Sequence, residues 1–511
     1  MPSVRIGGTT LTLSGVDFMV LGGYGLAVLV IGILFGRGSR STFDYFLGSR
    51  RQHWVIVGLS IIATEVSALT YVNVPADAFH GACTYLQMYA CSFLGRILIV
   101  YLLLPSFYGG SVTTVYEYLG QRFGPCTRTT ASVLFILSRI LGSAFRLLAA
   151  SLAVSAVFAW PLEWIIIGCA AVAVAYTLFG GIRAILWTDA LQAIVFIGAG
   201  FAAVVYLLWE TPGPWTANIN ALHEAGKIHV FTWSRDPNND RAFWVLTVHA
   251  TILTMASMGT DQDLTQRMLT CPDLRRGQRS LLFNAIIGLP VVCLFLLLGS
   301  LLWSYVQQTA PPAIEASIPQ RNDLILPFFI ANIFPAGSGL RGLMVAGLAA
   351  AAMSSLDSAL GALSSTVVTD FYRPFQERKR AHARQTDPER EERRLLRVSR
   401  FCTLTAGIIL AAVTLALARY DRLLWEVFRW ASLIFGGMLG IFLLGVTTKR
   451  RGRDAFNPVA MGSSVLLLAG IKFYQEHTGT VWIAWPWWVV IGTVWTYVLA
   501  VFFPSVHRKR I

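Results

Sequence analysis

The sequence predicts an all-α polytopic membrane protein: an inverted repeat of five spans plus five, preceded by one extra helix. Three observations predict it. The 511 residues are 55% hydrophobic and only 13% charged, with a mean hydropathy of +0.59, whereas a soluble chain of this size carries about twice that charge. Windows of about 20 apolar residues, long enough to cross a bilayer, recur thirteen times. Polar residues interrupt the second and the seventh of these windows. A spacing of five spans between interruptions is what an inverted 5+5 repeat with one helix in front produces.

Each window has its own reason. The first, 16–36, is too long for the apolar region of a signal peptide, and its basic flank follows rather than precedes it. The second, 54–79, contains Ser67-Ala-Leu-Thr70 and then Asn73, Pro75 and Asp77. A helix broken there frees backbone groups at membrane depth, which is tolerated only around a cavity. The third is 82–107. The fourth, 131–157, carries Arg139, Ser143 and Arg146 on one helix face. The fifth and sixth, 161–180 and 184–209, flank the pair Gly180-Gly181. The seventh, 243–267, is broken by Ser257-Met-Gly259-Thr260-Asp261-Gln262-Asp263. The eighth, 280–306, stays apolar through Ile286-Ile287-Gly288-Leu289.

The ninth window, 340–370, places Ala351, Ser354, Ser355 and Ser358 at i, i+3, i+4 and i+7, one polar stripe on an apolar helix. Such a stripe faces a protein interior or a wet cavity, and its oxygens suit a small hard cation. The last four windows are 398–418, 424–447, 455–474 and 484–504. Two long connections, 211–241 and 307–339, are rich in Pro, Asn and Trp and are expected to hold short amphipathic helices, as over 322–334. The charged segment 373–400 reads as a solvated, partly helical link.

The net charge of +14 does not indicate nucleic acid. Most Lys and Arg sit in short tracts between apolar windows: Arg37/Arg40/Arg50/Arg51, Arg275/Arg276/Arg279, Arg378/Lys379/Arg380, Lys449/Arg450/Arg451/Arg453 and Arg508/Lys509/Arg510. With thirteen spans and the N-terminus outside, all of them fall on the cytoplasmic side, as the positive-inside rule requires. The expected location is the cell (inner) membrane, with the C-terminus inside. The seven cysteines are scattered and form neither a disulfide framework nor a zinc spacing. The eight histidines show no metal-ligand spacing, and there is no G-x-S-x-G nucleophile elbow and no P-loop. These absences argue against an enzyme and against a primary pump. A channel would require a repeated pore motif, and none is present.

Three motifs occur in order along the chain: Gly180-Gly181-Ile-Arg183-Ala-Ile-Leu-Trp187-Thr188-Asp189-Ala-Leu-Gln192, Gly259-Thr260-Asp261-Gln262-Asp-Leu-Thr-Gln266-Arg267, and Met353-Ser354-Ser355-Leu-Asp357-Ser358. Together they resemble the sodium:solute symporter family, over roughly residues 15–450. The resemblance implies the leucine-transporter fold with an extra N-terminal helix, and sodium-driven alternating access. Its principal sodium site would use the carbonyls of Ala63 and Val66, the Ala351 carbonyl, and the hydroxyls of Ser354 and Ser355. Five neutral oxygens suit a monovalent ion that must bind and leave; a carboxylate cage would suit calcium. The second sodium site of some relatives would map to Asp189, Asp357 and Ser358. Asp357 departs from a hydroxyl-only pattern there, and without the ion two nearby carboxylates would favour taking up a proton.

The same fold would place the substrate between the broken helices, near Ser67, Thr70, Gln87, Asp261 and Gln262. Arg139 and Arg146 each need an acid, a carbonyl or water inside a membrane. One of them, with Arg139 favoured, is expected to meet a substrate carboxylate, as an arginine on the corresponding helix does in sialic-acid carriers. The other reading is an internal pair with Glu65, Asp189 or another acid. Glu65, beside the proposed sodium carbonyls, is placed to pair with Arg139 or to titrate. The expected function is sodium-coupled import of a sugar, sialic acid or other carboxylate, with a proton-assisted or sodium-independent organic-acid carrier as the alternative. The expected layout is an extra helix and first loop at 1–53, a ten-helix core at 54–448 with repeats at 54–209 and 243–448, and two further helices with a basic tail at 449–511. The expected partners are the solute, sodium and the lipid bilayer, with a single chain as the working unit.

Overall fold

The computed structural model describes residues 13–36, 41–110, 112–380, 388–418 and 423–504. The basic residues Arg37, Arg40, Arg508, Lys509 and Arg510, and part of the charged link, lie outside them. Among the described residues all regular structure is helical, apart from one bridge between Arg451 and Pro504.

In chain order, α1 is Gly15–Gly36, α2 Trp54–Glu65, α3 Ala68–His80, α4 Tyr85–Gly109 and α5 Pro125–Phe158. A helical run from Leu162 to Glu210 is split at Gly181, whose φ of 58° suits a residue without Cβ. Its parts are α6 (Leu162–Ala175) and α7 (Gly180–Glu210). Then come α8 (Phe243–Gly259), α9 (Gln262–Leu269), α10 (Leu274–Gln308), α11 (Leu340–Thr366), α12 (Pro388–Leu417), α13 (Leu423–Thr447), α14 (Asn457–Thr478) and α15 (Trp487–Val501).

Eight of these helices are long and apolar enough to cross a bilayer alone, and the two bent pairs bring the number to ten. The other three windows correspond to α6 and α15, which are shorter apolar helices, and to α14. Lys472, Gln475, Glu476 and His477 crowd the last turns of α14.

The two breaks fall at the polar interruptions. α2 and α3 meet at 59°, and α8 and α9 at 64°. At the first break the Val66 N–H still donates to Ile62 O (2.8 Å), and the chain is extended at Ser67, whose side chain makes no capping bond. At the second, Asp261 caps α9 by accepting from the Asp263 N–H at 2.8 Å.

Two groups of helices pack together. α3, α4, α8 and α10 form one and α5, α7, α11 and α12 the other, and α2 packs on both, on α10 and on the 162–210 run. Within the first group backbones touch at Gly299 of α10, where an added Cβ would stand 2.0 Å from the Pro75 carbonyl oxygen. The long connections hold short helices at Trp215–Glu224 and Ile325–Asn332.

The segment 226–242 folds onto one end of the bundle. Lys227 Nζ donates to Phe79 O at the end of α3 (2.7 Å). The Arg241 guanidinium lies 4.8 Å above the Trp425 ring and 3.8 Å from Asp77. Trp485 Nε1 donates to Asp240 (2.9 Å) and Trp487 Nε1 to Pro237 O (2.9 Å). His249 Nδ1 of α8 lies 2.8 Å from the Pro486 carbonyl.

Candidate functional site

Where α2 breaks, its last carbonyls lose their helical partners and are available to other groups. α11 crosses there, with its polar stripe turned inward. Ser354 Oγ donates to Ala63 O across the break at 2.9 Å and lies 3.3 Å from Ala351 O. Ser355 Oγ donates to Ala351 O at 3.3 Å. Ala63, Ala351, Ser354 and Ser355 are all fully buried, and Val66 ends α2 three residues beyond Ala63. Four of the five expected oxygens thus belong to one hydrogen-bonded cluster, and every one is neutral.

One turn along α11, Ser358 Oγ donates to Ser354 O and lies 3.5 Å from Thr64 Oγ1. Asp357 Oδ1 accepts from the Ser358 N–H at 2.6 Å. Asp189, on α7, is held differently. It accepts from Ser60 Oγ at 2.6 Å and from Arg267 Nη2 at 3.0 Å. A guanidinium therefore already supplies Asp189 with a positive charge.

Arg267 also pairs with Asp263, and Asp263 pairs with Arg139. Arg139 lies 3.8 Å from Asp261. The result is a buried chain of alternating charge, Asp189–Arg267–Asp263–Arg139–Asp261, that ties α9 to α7 and α5. Asp263 and Arg267 stand within the sequence motif, but their part in this chain is set by packing.

Between the breaks lies a cavity of about 170 Å³, lined by Ser67, Thr70, Arg139, Arg146 and Asp261 among others. Two expected lining residues are elsewhere. Gln87 donates to Arg241 O (2.7 Å) and accepts from the Thr232 N–H (3.2 Å). Gln262 accepts from the Val115 N–H (2.9 Å) and donates to Thr113 O (3.1 Å). A buried amide needs partners for its oxygen and its nitrogen, and in both residues backbone supplies them away from the cavity.

Glu65 lines the cavity but does not reach Arg139. It pairs with Arg96 and accepts from Asn284 Nδ2 at 2.9 Å. Arg96 is 1% exposed and is also bound by Asn284 Oδ1 at 3.1 Å. Its signal in the sequence is an arginine in mid-window at 82–107, the same signal that marks Arg139.

Residues 45–461 match the sodium:solute symporter family. The chain is 28% identical to the sodium/sialic acid symporter SiaT of Proteus mirabilis (strain HI4320), over 85% of each chain. It is 25% identical to the human sodium-coupled monocarboxylate transporter 1, over 84% of this chain and 69% of that one. A solved Na+-coupled sialic acid symporter, substrate-bound and outward-open, superposes with a TM-score of 0.81 at 25% identity, over 96% of this chain and 97% of that one. The nucleobase-cation-symport-1 transporter Mhp1 shares the fold, with a TM-score of 0.58 at 12% identity over 92% and 97% of the two chains.

Proposed function

Because the chain belongs to the sodium:solute symporter family and is a multi-pass membrane protein that couples sodium to the symport of a small solute, we propose where it holds the ion and how the ion acts. Sodium binds to the carbonyls of Ala63, Val66 and Ala351 and the hydroxyls of Ser354 and Ser355. The observation that carries this is the Ser354–Ala63 contact of 2.9 Å across the break. It brings oxygens of α2 and α11 together between the two helix groups. When the ion enters, the serine O–H bonds rotate away and their oxygens turn towards the cation. One ion then replaces several weak hydrogen bonds, and each hydrogen-bond acceptor becomes a ligand.

The ion acts through the fold. α2 packs with α10 and with the 162–210 run, and α11 packs with that run and with α5, so an ion shared by α2 and α11 acts at the meeting of these helices. It favours the arrangement in which α2 and α11 approach. Ser67 and Thr70, just past the same break, line the cavity, so the ion also fixes part of the solute site. Separation of α2 from α11 in the inward-open state dismantles the site and releases the sodium.

The Arg267–Asp189 pair at 3.0 Å supports one sodium per cycle, since Asp189 carries its counter-charge within the chain. The distribution of Lys and Arg supports a cell-membrane protein with its N-terminus outside and C-terminus cytoplasmic. The positions of the two breaks support a 5+5 core at 54–448 with further helices before and after it. The test is sodium-gradient-driven uptake in proteoliposomes by Ser354→Ala and Ser355→Ala. Loss of one neutral ligand should raise the sodium concentration for half-maximal uptake by about tenfold or more, taking a hydrogen bond to a charged group at ~1.5–3 kcal/mol. Unchanged sodium dependence in both variants would sink the assignment.

A further inference from the structure

We propose that Glu65, Arg96 and Asn284 are positioning residues of the sodium site. They fix the broken end of α2 to α4 and α10, so that its freed carbonyls stand where the ion needs them. This rests on the sodium assignment above and deepens it.

The break begins in the backbone of Glu65. In an unbroken helix the Ser67 N–H would donate to the Ala63 carbonyl. Here it donates to Glu65 O instead, at 3.0 Å. The Ala63 carbonyl is thereby released, and Ser354 Oγ donates to it at 2.9 Å. The last regular bond of α2 runs from the Val66 N–H to Ile62 O. Past that bond the carbonyls have no helical partner to hold them in place, so side chains must locate them.

Glu65 supplies the fixed half of that support. One of its carboxylate oxygens accepts from Arg96 of α4, and the other accepts from Asn284 Nδ2 of α10 at 2.9 Å. Asn284 Oδ1 accepts from Arg96 Nε at 3.1 Å, which closes a ring of three side chains. Ser92 Oγ and, at 3.3 Å, the Tyr89 hydroxyl also accept from Arg96. Arg96 and Asn284 are buried. A buried polar network with its groups satisfied is rigid, and this one spends its donors and acceptors on itself. Ser354 is the other half of the support, and it must turn away from Ala63 O when sodium arrives. The ring is therefore the tether that α2 keeps throughout the exchange. A site whose ligands are already in place binds more tightly than one that must first order them.

The experiment is a sodium titration of the unfolding midpoint of the purified, detergent-solubilised full chain. Choline chloride replaces sodium chloride to hold the ionic strength, and no solute is added. The dependence of the midpoint on concentration gives the apparent sodium affinity. Asn284→Ala changes no charge and removes two sides of the ring. It should weaken that affinity by about fivefold or more, the low end of couplings between distinct sites. Glu65→Gln should weaken it at least as much. Because both act through one ring, the double variant should bind sodium no more weakly than Glu65→Gln alone. Gly299→Ala, strained against Pro75 further along α10, controls for a general loss of stability: its sodium affinity should equal that of the wild type. Wild-type affinity in either single variant, or losses that add in the double variant, would overturn the proposal, so it stays testable if one variant does not fold. A wild-type midpoint indifferent to sodium, or sodium dependence that survives both Ser354→Ala and Ser355→Ala, would instead remove the sodium site itself and the proposal with it.

Discussion

Replacing Asp263 by Asn tests the buried charge chain. Asp263 is 1% exposed and stands between two arginines, pairing with Arg267 through Oδ1 and with Arg139 through Oδ2. Asn keeps one oxygen and puts an NH2 where the other was, so one guanidinium faces a donor instead of an acceptor. Arg267 would keep Asp189 at 3.0 Å and Ser60 Oγ at 2.8 Å. Arg139 would keep only Asp261, at 3.8 Å and beyond hydrogen-bond reach. Breaking a buried pair by removing one partner costs about 3–5 kcal/mol, because a charge is left uncompensated.

With an unfolding entropy of roughly 2 cal/mol/K per residue, a 511-residue chain loses about 1 °C of midpoint per kcal/mol. The midpoint of detergent-solubilised Asp263→Asn should therefore fall by about 3–5 °C. The matched control is Asp273→Asn. Asp273 pairs with Arg276 at 3.4 Å, both half-exposed, and such pairs contribute about 0–1 kcal/mol. It also caps α10, a role Asn performs equally well. If Asp263→Asn unfolds within about 1 °C of the control, the charge chain does not hold α9 to α5 and α7.

Two further outcomes follow from packing. Gly299→Ala forces a Cβ to 2.0 Å from the Pro75 carbonyl oxygen; overpacking of this kind costs about 1–3 kcal/mol. It should lower the unfolding midpoint, whereas Gly470→Ala, with open space around it, should not. Gln87→Ala removes two hydrogen bonds to the backbone of 232 and 241. Amide exchange across 226–242 should quicken while the half-saturating sodium concentration for uptake stays unchanged. Equal exchange in the variant and the wild type would show that Gln87 does not hold that segment.

Both helix breaks are legible in the sequence because polar residues interrupt otherwise apolar windows, and membrane helices tolerate that only around a cavity. The serine stripe of α11 is legible for the same reason, since its period is helical and its chemistry is not that of lipid. The partners of the charges are not legible. Arg139 and Glu65 both stand out, but which acid meets which arginine depends on how α9 and α4 lie against α5 and α2. In the structure Glu65 meets Arg96, and Arg139 meets Asp263.

Gln87 and Gln262 mislead for a related reason. An amide near a break looks like a solute ligand, yet it serves equally well to satisfy stray backbone groups. Span counting is weakest where helices are short or end in charges, as at α6, α14 and α15.

The last helix, α15, lies outside the ten-helix core proposed above, yet it is not idle. Trp487 at its start and Trp485 just before it hold 237–240, three residues or more ahead of the start of α8, and Pro486 between them meets His249 within α8 itself. α15, packed chiefly on α13, is thus also joined to a broken helix. Any swing of α8 must either carry α15 with it or slip that grip. A helix that lines none of the cavity is thereby tied by side-chain contacts to the start of a broken one.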